Sequence, residues 1–380
     1  MRTWNDETTG RRIRQLTDRP AGCWLGYYNK PRRAGPEWVM IQVGGPEQKT
    51  AFLHAESGEI KPAPFYDVPA NRGSGGLLLL NEDTGRAHFA LGREIWCVDL
   101  PDGEPERVHT LPEDLPGMPV RLTCDAGTAI LQKRVDPTYA SIEFPQTCDA
   151  EWYWKFITRP RSGTLFSYGL ADGAIRTLVE EKAHHPSLPQ PSPTDPTLVA
   201  FSVDQDPCEA QHIWAVRTGG GDRWKIRPQE PNEMIMHFCW WPDGTYLTYK
   251  YQDKRVNGRH REIPFAEYSP CPTRYCLAGT DGVEVYRSDP LDHWHSHVFR
   301  SPDGTLLCGE GTHDHMFLYA AAFSLDSTQI DFVPQATIHT PYEACKGAEV
   351  ESGFTPDNRW LLYNDTIEGV LQVCAVEVGV

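Results

Sequence analysis

No run of about 18 apolar residues occurs in the 380-residue chain, so a membrane-spanning helix is not expected. Basic residues are scarce. Lys and Arg number 36 against 52 Asp and Glu, a formal charge of −16. A nucleic-acid binder needs a basic face, and this balance disfavours one. It does not exclude an anionic sugar, which needs only a locally positive pocket. The opening segment MRTWNDETTGRRIRQLT lacks the apolar core of a secretory signal, so the expected location is the cytoplasm. No long stretch keeps a helical period. The 11 cysteines contain no CxxC pair, and Cys271 and Cys276 lack the second pair that a zinc knuckle needs. Several cysteines sit in strand-like runs such as IWCVDL and LQVCAVEV. They read as free, buried side chains that pack as small apolar groups.

What the chain has instead is a repeat. A turn containing Pro, Asp and Gly precedes a short apolar strand in WPDGTYLTYKY from Trp241, SPDGTLLCGEG from Ser301 and TPDNRWLLYND from Thr355. Looser copies start at Ser192, Thr123 and Asn81. Asp and Gly supply turn geometry, and the Val, Ile, Leu, Tyr and Trp of the flanking runs suit half-buried strands. The 32 glycines and 32 prolines agree with many strands joined by many turns. Repeats of several strands each predict propeller blades. Blades are expected at 25–65, 74–112, 117–181, 184–229, 233–287, 293–336 and 347–380. The expected fold is therefore all-β, a single seven-bladed β-propeller over 1–380. Its ring would be closed by RRIRQLT near Arg11 pairing with the last blade, because an open sheet edge is a liability. Two segments break the rhythm, at 133–165 and 252–274, and read as ordered insertions that rim a pocket.

The 14 histidines cluster: His184 and His185, His237, the run HWHSH of His293, His295 and His297, and His313 with His315. His237 lies six residues before Asp243, and His297 lies six residues before Asp303. Glu351 stands at the same offset from Asp357, with Glu349 two residues earlier. Equivalent positions in propeller blades fall at equivalent heights and radii, so these side chains are expected to converge. A single histidine near a blade turn is usually a hydrogen-bonded packing residue. Strand alternation would put His293, His295 and His297 on one side of the sheet, where three imidazoles point to a metal or an anion. Glu349 and Glu351 on one face repel unless a cation lies between them, or else form a solvated face.

The stretches HHPSLPQPSPTDPTLVAF, HIWAVR, MHFCWWPDGTYLTY, HWHSHVFRSPDG and FTPDNRWLLYND resemble, in order and spacing, the oligogalacturonate lyases, a seven-bladed polysaccharide lyase family. The resemblance covers nearly the whole chain. It implies cytoplasmic β-elimination on short galacturonate oligomers, as in pectin degradation, with manganese as the usual metal. It implies that His237 is the catalytic base, that His297 binds metal and that His185 lines the pocket. The chain departs from the family at four positions. His212 stands where the family has Arg, and Lys346, Glu349 and Glu351 stand along the family's Q-x-x-H-x-H metal motif.

The resulting expectation places His237 and His212 in catalysis. Substrate contacts fall to His185, Lys346 and Arg274, and metal ligation to His297, His295, Glu349 and Glu351. Glutamate is a competent oxygen ligand for manganese, magnesium or calcium. Lys346 cannot ligate while charged, but suits a sugar carboxylate or could neutralise the glutamates where no metal is present. The expected partner is a small anionic oligosaccharide, with no nucleic acid and no membrane, on a monomer or homodimer. Two other readings share the scaffold: an isomerase or epimerase of sugar acids using the same base, and a non-catalytic sugar-binding propeller.

Overall fold

The computed structural model describes residues 2–26, 33–44, 49–64, 76–137, 159–204, 211–231, 233–253, 273–293, 295–311, 316–340 and 350–380. Among these residues every helix or strand is a β-strand, and the strands sort into seven antiparallel sheets of four or five. Blades one to seven begin at residues 23, 77, 118, 185, 233, 295 and 352. Each is a meander in which chain neighbours pair, except that in blade one the short strand Arg33–Ala34 comes between Cys23–Leu25 and Trp38–Val43 in sequence and, like Cys23–Leu25, pairs with the latter. The seventh is completed by the N-terminus: Arg12–Gln15 pairs with Val370–Glu377 through Ile13 opposite Val376, and Arg2–Asn5 adds outside it. The expected all-β, seven-bladed fold and its N-terminal closure are both present.

The repeated turn explains where each first strand stops. In blade six the Ser301 hydroxyl donates to Asp303 at 2.6 Å, and the Leu306 N–H donates back to Ser301 Oγ at 2.9 Å. Gly304 then takes φ +76°. In blade seven Asn358 fills that place at φ +59°, a conformation Asn tolerates better than most residues. Burial alone would raise the Asp303 carboxyl, but hydrogen bonds from Ser301 and Thr305 outweigh it and bring it down to about 2.

The described residues pack as two compact units, each with its own inter-blade cores. One unit holds 1–91, 96–107 and 291–380; the other holds 92–95 and 108–290. In the first, Cys308, Leu318 and Ala320 of blade six bury against Phe354, Leu361 and Tyr363 of blade seven. In the second, Ile213 and Ala215 of blade four bury against Leu247, Tyr249 and Cys276 of blade five. Each large side chain so buried contributes about 1.5–3 kcal/mol.

The 133–165 insertion is narrower than the sequence implied. Thr128–Val135 and Ser162–Gly169 pair out to Val135 opposite Ser162, so the two strands run further than the repeat alone indicated. The 252–274 insertion narrows likewise, with Gln252 opposite Thr273. Segments 138–158 and 254–272 lie outside the described residues. Seven described cysteines are free, five of them buried, as expected. No helix among the described residues is long and apolar enough to cross a membrane.

Candidate metal centre

One local distortion recurs in the first strand of blades and positions the candidate side chains. In blade six His295 opposes Gly311 and Val298 opposes Gly309. Residues 296 and 297 therefore face the single residue Glu310, which is a β-bulge. In blade five Met236 opposes Lys250 and Cys239 opposes Thr248, so His237 and Phe238 face Tyr249. In blade seven the Asn364 N–H donates to the Val350 carbonyl while Ser352 opposes Tyr363. Glu351 is the extra residue there. His237 and Glu351 occupy the left-handed region, at φ +56° and +36°, and so does Leu188 at the bulge of blade four, at +45°. The strain belongs to the scaffold, since Leu188 carries no chemistry, and it re-aims whichever side chain stands at the bulge.

The bulge overturns the expectation that His293, His295 and His297 share a face. An extra residue inverts the alternation beyond it. His295 packs on Tyr319 and Phe332, with ring centroids 5.2 and 4.3 Å away, and lies against Gly309. His293 also meets Tyr319, at 5.5 Å. His297 turns to the other side and stacks on Phe299 at 5.6 Å. His295 thus sits in an aromatic pocket away from His297.

On the His297 side three donors gather. His297 Nδ1 lies 2.9 Å from Glu310 Oε2 and 3.9 Å from Glu351 Oε1. The Ser352 hydroxyl donates to Glu310 Oε1 at 3.0 Å. The relative exposures of His297, Glu310 and Glu351 are 1%, 1% and 2%. Burial also pushes the neighbouring Cys308 thiol up to about 12, so it packs as an uncharged group. Glu310 was not anticipated from the sequence, where it is hidden inside the strand LLCGEG.

The trio fits a divalent cation. One ligand atom from each residue lies within 4.8 Å of the others. Ligands about 2.0–2.5 Å from a shared ion are at most about 4–5 Å apart. Two carboxylates buried together are costly unless a cation balances them, and a divalent ion does so while leaving the imidazole neutral, as ligation requires. One nitrogen and several carboxylate oxygens suit manganese, magnesium or calcium.

The remaining expected residues are placed as follows. Lys346 and Glu349, with His313 and His315, lie outside the described residues. His237 is half-buried at the bulge of blade five. Lys250, 2% exposed and opposite Met236, is a buried cation that the sequence reading did not single out. His185 is buried at the start of the first strand of blade four, opposite Asp204. The His212 N–H donates to Gln229 Oε1 at 3.2 Å, just ahead of the strand Ile213–Arg217. Arg274 lies on the third strand of blade five and donates through Nη1 to the Ser288 carbonyl at 2.7 Å.

No protein-family model matches the chain. Two curated proteins align with 97% of it and 93% of their own lengths: the oligogalacturonide lyase of Pectobacterium atrosepticum at 21% identity and the oligogalacturonate lyase of Dickeya dadantii, at 20%. Among solved structures, an oligogalacturonate lyase in complex with manganese superposes with a TM-score of 0.74 at 17% identity, covering 100% of this chain and 96% of that one. The oligogalacturonate lyase of Vibrio parahaemolyticus gives the same values. In sequence along nearly its whole length, and in its seven-bladed fold, the chain resembles the oligogalacturonate lyases.

Proposed function

We propose that the protein is a lyase that cleaves short uronic-acid oligosaccharides of the oligogalacturonate type by β-elimination. The observation that carries this reading is the buried His297, Glu310 and Glu351 trio on a propeller related to oligogalacturonate lyases. His297 and Glu351, with Glu349, are the residues that would hold a divalent cation, manganese foremost. When bound, such an ion supplies positive charge against the carboxylate of the sugar and stabilises the enolate-like charge that develops there.

His237 acts as the base. Its ordinary pKa near 6.5 leaves a neutral imidazole available at neutral pH. It takes the C5 proton, which is acidified by the adjacent carboxylate. The C5–H electron pair becomes the C4–C5 double bond, and the C4–O bond breaks. The departing oxygen takes up a proton, and His237 returns its own to solvent. The strained bulge aims the imidazole rather than leaving it to rotate with the strand. His212, His185 and Lys346 meet the sugar and its carboxylate. Arg274, with Nη1 already bound to Ser288, is the least suited of the proposed contacts. The free buried cysteines agree with a reducing, cytoplasmic setting.

The test is the ultraviolet absorbance of conjugated unsaturated uronides, measured with a panel of uronic oligosaccharides and manganese supplied. The expected result is a rise with at least one of them. No rise with any contradicts the lyase reading, and a product of unchanged mass and altered stereochemistry replaces it with an epimerase.

A further inference from the structure

The ninth residue after the Ser, Thr or Trp that opens each turn holds one place on the second strand of every blade that carries the simple turn. It is Gln132 in blade three, Lys250 in blade five, Glu310 in blade six and Asn364 in blade seven. Where this residue is a neutral amide, it latches its blade to the first strand of the next. Gln132 Nε2 donates to the Pro186 carbonyl at 2.6 Å. Asn364 Oδ1 accepts the Leu25 N–H at 2.7 Å. In blade six the same place reaches the first strand of blade seven through Ser352, but the group is a buried carboxylate. An inter-blade latch needs no charge, as the two amides demonstrate, and a buried charge is expensive.

We infer that Glu310 is a latch residue converted into a direct ligand of the divalent cation, compensating for the histidines that the motif of Lys346, Glu349 and Glu351 lacks. This rests on the metal reading proposed above. Ser352 holds Oε1 and thereby fixes the carboxylate. Oε2 lies 2.9 Å from His297 Nδ1, Glu351 Oε1 lies 3.9 Å from the same nitrogen, and one ligand atom of each residue lies within 4.8 Å of the others. All three donors therefore converge on one point. A carboxylate that only oriented His297 from behind would not bring Glu351 to the same nitrogen.

The repeat itself supplies a test that spares the fold. Glutamine already serves as the latch in blade three, so Glu310→Gln keeps the hydrogen-bonding shape of the position and removes only its charge. Titration calorimetry with MnCl2 on the full chain, with thermal unfolding in chelator as control, reads the effect. Loss of an outer partner of a ligand costs 10–100-fold in affinity, so a direct ligand predicts a loss greater than about 100-fold. The melting temperature in chelator is expected to stay within a few degrees of wild type. Manganese affinity within 100-fold of wild type in Glu310→Gln overturns the ligand role and leaves the centre itself standing. A wild-type chain that binds no manganese, magnesium or calcium overturns both.

Discussion

Blades five and six share the turn and a bulge that holds a histidine, the bulge lying one residue further from the turn in blade six, yet they differ in what stands at the matching place on the second strand. Blade six offers Glu310, tied to His297 and Ser352. Blade five offers Lys250, with the residue facing the bulge being Tyr249, whose hydroxyl donates to Glu284 at 2.5 Å. One backbone device thus presents two histidines for two purposes. In blade six the imidazole faces buried carboxylates and suits a cation. In blade five the matching place is held by the buried Lys250, and the role proposed for His237 there is that of the base.

The largest expected effect breaks this comparison on the blade-five side. His237→Ala should lower turnover about 10²–10⁴-fold, the range for loss of a general base, in the unsaturated-uronide assay. On the blade-six side, His297→Ala should abolish manganese binding in calorimetry, and chelation of the wild type should remove activity that manganese restores. A smaller effect sharpens the role of the bulge. At φ +56° a non-glycine residue is strained by about 1–2 kcal/mol. His237→Gly should therefore melt at a higher temperature than His237→Ala while being equally inactive; an identical melting temperature would argue against strain at that residue. The smallest effect concerns the shared turn. The folded carboxyl of Asp303 lies at about 2, below its ordinary 3.8. Its contribution to stability is full above about pH 4 and is lost as pH falls through about 2. The melting difference between wild type and Asp303→Asn should close over that window.

The blades were legible because turn chemistry and short apolar runs repeat in the sequence, and the first described strand of each blade begins within five residues of its expected place. The six-residue offset of His237, His297 and Glu351 was legible for the same reason, and it singles out the bulge in each blade. The bulge itself was not legible. One extra residue inside a strand leaves no compositional trace, so strict alternation placed His295 beside His297 when the chain puts it against Tyr319 and Phe332. Glu310 escaped because a lone acid between two glycines in a strand reads as a solvated residue. Aligning YKY, GEG and YND across blades five, six and seven would have exposed it, together with Lys250, as polar residues at a buried place.

The division of labour between the two blades is tested most directly by titrating manganese into His237→Ala and His297→Ala side by side. His237→Ala is expected to bind the ion within about threefold of wild type, since it contributes no ligand, while losing turnover. His297→Ala is expected to lose the ion. Loss of manganese binding in His237→Ala, or turnover that survives in it, would contradict the assignment of the base to blade five and the cation to blade six.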